Sequence, residues 1–180
     1  MSKIFVIPDV HLKPRMFAEA DKLLSGASCD AIVMLGDLVD DWDQQQNLDL
    51  YHETFDAAID FVKDHPDTFW CYGNHDLSYL WNALESGYSY YAEELVKERI
   101  AELRNALPPE NSAYIHRFDR VLFSHAGLTE SFVLQHFGSG MSDLDSMIAG
   151  INRMGMKEMW QDDSPIWARP QYAAMRIYPR

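Results

Sequence analysis

The sequence predicts an α/β fold built on a mostly parallel sheet. Three short apolar runs, rich in β-branched and aromatic residues, each pass straight into a polar motif after a Pro or Gly. The segments between them carry helical spacing, so strand, helix, strand, helix, strand is the expected order.

Lys3-Ile4-Phe5-Val6-Ile7-Pro8 reads as the first buried strand. A helix follows from about Met16 to Leu24. Ala31-Ile32-Val33-Met34-Leu35 is the second strand and stops at Gly36. Tyr51, Phe55, Ala58, Ile59 and Val62 then lie on one helical face, with Pro66 beyond its end. Thr68-Phe69-Trp70-Cys71-Tyr72 is the third strand and stops at Gly73. Tyr91 to Leu107 reads as an amphipathic helix with a Glu93–Lys97 pair, ended by Pro108-Pro109. Ala113 to His116 and Val121 to Ser124 predict a hairpin around Phe118-Asp119-Arg120, the start of a second sheet. Helical or irregular chain is expected from Thr129 to about Trp160, including a helix from Phe132 to Phe137.

The chain has 180 residues, 47% of them hydrophobic, enough for one domain with a real core. No repeat or linker divides it, so residues 1–180 are expected to form a single domain. The formal charge of −13 argues against long nucleic acid as a partner. Cys29 and Cys71 lie in or beside apolar stretches and read as buried free thiols of a reducing compartment. The start lacks the apolar stretch of a signal peptide, and no run of about 18 apolar residues suggests a membrane span. A cytoplasmic protein is expected.

Four motifs carry the chemistry: Asp9-Val10-His11, Gly36-Asp37-Leu38-Val39-Asp40, Gly73-Asn74-His75-Asp76 and Ser124-His125-Ala126-Gly127. In open α/β sheets, ligand sites lie outside the carboxyl ends of the strands, so these distant residues can converge. Asp9 and His11, two apart on extended chain, point to one side and suit one metal. Asp37 can bridge two metals with its two oxygens, while Asn74 and His125 offer an amide oxygen and an imidazole nitrogen to the second. Such mixed donors suit Mn, Fe or Zn better than calcium. Two such ions about 3.5–4 Å apart activate a water and stabilise phosphoryl oxygens in an in-line displacement. His75 then reads as the general acid, oriented by Asp40. Asp76 reads as a helix cap or a support for its neighbours. Tyr79, Trp81, Tyr88, Tyr90 and Tyr91 form either an aromatic wall over the site or ordinary core packing.

The motifs closely resemble the calcineurin-like metallophosphoesterase superfamily, whose blocks read D-x-H, G-D-x-x-D, G-N-H-[DE] and a later histidine block. Ser124 to Gly127, with Ser164-Pro165-Ile166-Trp167-Ala168-Arg169, is similar to the branch of serine/threonine protein phosphatases and bacterial diadenosine tetraphosphatases. The resemblance spans Ile4 to about Pro179. It implies a four-layer αββα sandwich with a dinuclear site between two sheets. It also implies Asp9, His11, Asp37, Asn74 and His125 as ligands and His75 with Asp40 as the acid dyad.

Three departures stand out. Asp41 replaces the Arg that usually follows G-D-x-x-D and grips the substrate phosphate, which leaves Arg15 or Arg169 as the candidate cation. Leu12 replaces the Gly that often follows D-x-H. No segment after Arg169 fits the G-H-[TS]-like block that completes the second metal, and His136 comes too early. The sequence is therefore expected to lack the last strands of the sandwich, to hold a weakened second metal and to present a sheet edge open to association. The leading expectation is a metal-dependent phosphomonoesterase acting on a phosphoprotein or small phosphoester. The alternatives are a dinucleoside polyphosphate or nucleotide hydrolase and an impaired fragment that binds metal or a partner.

Overall fold

The computed structural model describes residues 1–139 and 143–169. The first strand, β1 (Ile4–Ile7), leads through α1 (Arg15–Leu24) to β2 (Ala31–Met34). Helix α2 (Leu48–Asp64) connects to β3 (Thr68–Cys71), and α3 (Asn74–Trp81) and α4 (Glu93–Ala106) follow. A short strand, β4 (Ser112–Ala113), completes a parallel sheet of order β1-β2-β3-β4. The registers Ile7↔Met34 and Met34↔Trp70 align the exits of the first three strands. That alignment brings the first three motifs to one edge.

The hairpin differs from its predicted limits. Ser112 and Ala113 pair in parallel with Trp70 and Cys71. The antiparallel pair is β5 (Ile115–Phe118) with β6 (Val121–Ser124), turning at Asp119 and Arg120. The chain changes sheets at Tyr114, whose N–H donates to Asn152 Oδ1 at 3.2 Å. Asn152 also accepts from the Ile115 N–H and donates to the Ile115 carbonyl, so one amide clips β5 to the helix beside it.

Two apolar clusters define the layers. Phe17, Tyr51, Phe55, Ile59, Val96, Ile100 and Leu103 from α1, α2 and α4 pack on Ile7, Ile32, Met34 and Trp70. Beyond the hairpin, Ile115 packs with Phe132 and Val133 of α5 (Glu130–Phe137), Ile148 and Ile151 of α6 (Leu144–Ile151), Met159 of α7 (Met156–Met159) and Ile166. Between the sheets, Phe69 meets Phe118 at 4.9 Å between ring centroids, and His116 Nε2 faces the Trp70 carbonyl at 3.0 Å. The order is helices, parallel sheet, antiparallel sheet, helices, as the resemblance implies. The second sheet has two strands among the described residues. The expectations for the end of the chain, residues 170–180, lie outside them.

Cys71 is buried and Cys29 half-buried, both as free thiols. Among the described residues, no helix is long and apolar enough to cross a membrane. Phe55 has no exposed surface and anchors the α2 face of the first cluster. Phe55→Ala should lower the unfolding free energy by about 3–5 kcal/mol in denaturant melts, the usual cost of such a core truncation.

Candidate metal centre and acid dyad

The loops leaving β2 and β3 touch because each has a glycine two residues past its strand. A Cβ on Gly36, which has φ +95°, would collide with the Gly73 backbone. One on Gly73 would collide with Asp37. The buried Asp76 carboxylate then ties the loops together. It accepts the N–H of Asp37 at 2.9 Å, Leu38 at 2.8 Å and Gly73 at 3.2 Å. Burial and the nearby Asp37 charge raise its pKa, against which the Leu38 and Gly73 N–H groups act. The support expected of Asp76 is thus a bond between two strand exits.

The five candidate ligands gather around Asp37 and His125. Asp9, Asp37 and His125 each offer an atom within 4.8 Å of the others. Asp37 Oδ2 lies 3.3 Å from His125 Nε2 and 3.7 Å from His11 Nε2. Asn74 Oδ1 lies 3.0 Å from the same His125 Nε2. Asp9 is the exposed member, with its side chain 47% accessible. The sequence predicts a bridge through both Asp37 oxygens. In the structure Oδ1 accepts the His75 N–H at 3.0 Å, and Oδ2 faces both rings.

Backbone carbonyls set both ring tautomers. His11 Nδ1–H donates toward the carbonyls of Asp40 at 2.8 Å and Val39 at 3.1 Å. His125 Nδ1–H donates to the Leu35 carbonyl at 2.8 Å. With the proton on Nδ1, the neutral form of each ring presents an Nε2 lone pair to the cluster, the arrangement that orients metal-binding histidines. Around His125 Nε2 stand the Asp37 carboxylate and the Asn74 amide oxygen. In that neutral form three acceptors meet, which suits a cation. The donor set thus fits one or two divalent metals.

Beside this cluster His75 Nδ1–H donates to Asp40 Oδ2 at 3.0 Å. The other Asp40 oxygen accepts from Tyr51 Oη at 3.2 Å and from Tyr79 Oη. Burial first, and then the Asp40 charge, raise both tyrosine pKa values, so they stay neutral donors. Burial disfavours the His75 cation, but the Asp40 hydrogen bond and the Asp37, Asp40 and Glu85 charges outweigh it and raise the pKa. Tyr79 and its stacked neighbour Tyr88 thus belong to the packing behind Asp40, one of the two alternatives for the aromatic segment. Tyr79 lies one turn after His75 on α3, a spacing that could have indicated this.

Backbone strain concentrates here. His11, Leu12, Asp37 and Asp40 all have positive φ, between 43° and 66°. Such a conformation costs an L-residue roughly 1–2 kcal/mol, which is why Gly suits the Leu12 position. Leu12 is held in it by burial in the first apolar cluster.

The candidate cations separate. Arg15 is exposed, beside Phe5, Val6 and Met16 between β1 and α1, and makes no ion pair among the described residues. Arg169 is half-buried, donates to the Trp167 carbonyl at 3.1 Å and acts electrostatically on Glu85. Lys13, which sequence reasoning passed over, is closer to the motifs. It donates to the His11 carbonyl at 2.9 Å and to Asp41 at 3.1 Å, so the residue in the usual Arg position carries its own counter-charge. Glu85 was also missed, being in no motif. It contacts both Asn74 and His75. His136 packs on Phe132 in α5 and is not part of the cluster.

The similar C-terminal stretches are physically joined. The Ala126 N–H donates to the Pro165 carbonyl at 2.8 Å, and Thr129 Oγ1 donates to the Asp163 carbonyl at 2.8 Å.

The chain belongs to the calcineurin-like phosphoesterase family, matching it over residues 2–174. Members of this family form a dinuclear-metal class. One similar solved structure is a protein serine/threonine phosphatase from Saccharomyces cerevisiae with similarity to human phosphatase PP5. Identity is 18% and the TM-score 0.37, over 71% of this chain and 38% of that one. This chain therefore spans well under half the length of that structure. No curated protein matches it in sequence.

Asp76→Asn leaves one oxygen where three N–H groups need two. It should lower stability by about 1–3 kcal/mol, the cost of an unsatisfied buried donor. Thermal melts and Mn(II) titration of the variant check this, with weaker metal uptake expected alongside the lower melting temperature.

Proposed function

We propose that this protein is a metal-dependent phosphoester hydrolase, acting as a phosphomonoesterase on a phosphoprotein or a small phosphoester. The observation that carries the reading is the meeting of His11 Nε2, Asp37 Oδ2, Asn74 Oδ1 and His125 Nε2, beside an aspartate-held histidine. Divalent metals, when bound, supply Lewis acidity and an activated water at neutral pH. Asp9, His11 and Asp37 would hold one ion; Asp37, Asn74 and His125 would hold the other. The mixed carboxylate, amide and imidazole donors favour Mn, Fe or Zn.

The protein's own part in the reaction is positioning and proton transfer. Asp40 fixes the His75 ring through Nδ1 and leaves Nε2 out of that bond, 3.7 Å from Glu85 Oε2. The raised pKa keeps the ring protonated to higher pH, so Nε2–H can pass a proton to the leaving oxygen. Arg169 supplies a positive charge at the rim near Glu85 for the substrate phosphate. A dianionic phosphate is recognised locally, within a protein whose net charge of −13 repels extended phosphate backbones.

A second reading, hydrolysis of nucleotides or dinucleoside polyphosphates, is favoured by Trp42. This ring is 71% exposed and lines the same small cleft as His11, Asp40 and His75. It offers a planar face for a nucleobase.

Three measurements test these readings. Hydrolysis of an aryl phosphate in added Mn(II) should vanish with a chelator and in Asp37→Asn. Metal-independent turnover would refute the proposal, and Mn(II) uptake without any turnover would favour the impaired, metal-binding alternative. His75→Asn should lower kcat by about 10²–10⁴ with Mn(II) binding kept, the range for loss of a general acid. Full activity in that variant would remove His75 from the mechanism. Trp42→Ala should raise KM for diadenosine tetraphosphate by about 2–10-fold, the worth of one stacked pair, if the second reading holds. An equal KM would leave the phosphomonoesterase reading alone.

A further inference from the structure

Glu85 lies in the loop between α3 and α4, outside every motif. Its side chain is only 15% accessible. One of its oxygens, Oε2, accepts a hydrogen bond from Asn74 Nδ2 at 3.1 Å. The same oxygen stands 3.7 Å from His75 Nε2. Burial raises its pKa, and the His75 charge, the Asn74 hydrogen bond and the Arg169 charge act against that.

An asparagine amide has two nearly isosteric ends, and a half-turn exchanges donor for acceptor. For Asn74 the choice matters. One end faces Asp37 Oδ2 and His125 Nε2, where the family's metals require an oxygen. Without a metal those two atoms are acceptors, and they would prefer the NH2 end. The amide would then hydrogen-bond into the cluster and present a donor where a cation needs a lone pair. A carboxylate on the opposite side reverses that preference, because it can only accept. From these contacts we infer that Glu85 is a positioning residue for the metal centre: it holds the Asn74 amide with Oδ1 turned inward.

The inference rests on the proposed ligand role of Asn74, and Mn(II) binding separates the two. Binding is read by electron paramagnetic resonance and calorimetry on wild type, Asn74→Ala, Glu85→Ala, Glu85→Gln and the Asn74→Ala/Glu85→Ala double variant. Thermal melts show that each is folded. Glu85→Ala should weaken one Mn(II) by about 10–100-fold, the usual effect of losing a group that orients a ligand. Glu85→Gln keeps an acceptor oxygen and should restore affinity to within a few-fold of wild type. The double variant should bind no more weakly than Asn74→Ala alone, because Glu85 acts only through that amide. Wild-type affinity in Glu85→Ala, beside weakened binding in Asn74→Ala, would overturn the role of Glu85 and leave the metal site standing. So would a further loss in the double variant. Unchanged Mn(II) binding in Asn74→Ala would instead overturn the ligand reading, and the inference with it.

Discussion

The structure of this site depends on one buried carboxylate. Asp76 accepts N–H groups from Asp37, Leu38 and Gly73, and so joins the exit of β2 to the exit of β3. Strand pairing alone would align the two exits without fixing the distance between their loops. With the loops fastened and two glycines removing the side chains between them, Asp37 and Asn74 stand on either side of His125. Every other contact in the cluster presupposes that spacing. The carboxylate does this at some cost, since burial and the Asp37 charge both oppose its ionisation. The Leu38 and Gly73 N–H bonds offset part of that cost.

Negative charge is then sorted by depth. Asp40 is buried and spends its oxygens on two tyrosines and one imidazole. Asp37 gives one oxygen to a backbone N–H and keeps the other for the cluster. Asp41, further out, is paired with Lys13. The carboxylate at the position of the usual Arg therefore does not add an uncompensated charge to the rim. Positive φ at His11, Leu12, Asp37 and Asp40 belongs to the same design, because it turns the ligand loops sharply after the strands.

Much of this could be read from the sequence. Apolar runs ending at Gly36 and Gly73 disclosed the strands, and their polar continuations disclosed the candidate ligands, because ligand-bearing loops follow parallel strands. The pairing of Asp40 with His75 followed from motif chemistry. What could not be read has physical reasons. Ser112 and Ala113 form a strand too short to carry any periodicity, and only Trp70 and Cys71 show which sheet they join. Glu85, Tyr51 and Lys13 reach the site from a loop, a helix face and a turn, none of which marks a residue for chemistry. The bond from the His75 N–H to Asp37 Oδ1 depends on where that N–H falls, a tertiary detail.

The tie between Ala126 and Pro165 has a consequence for how the molecule is made. Asp9, His11, Asp37 and Asn74 leave the ribosome early, within the first half of the chain. His125 is synthesised later, and the carbonyl that secures its loop comes forty residues later still. Synthesis at about 5–20 residues per second separates these events by a few seconds. During that interval the Leu35 carbonyl that holds the His125 ring is already made, while the loop after it still lacks its Pro165 tie. The parallel sheet thus has time to form before the cluster closes, and the order of translation runs from scaffold to site.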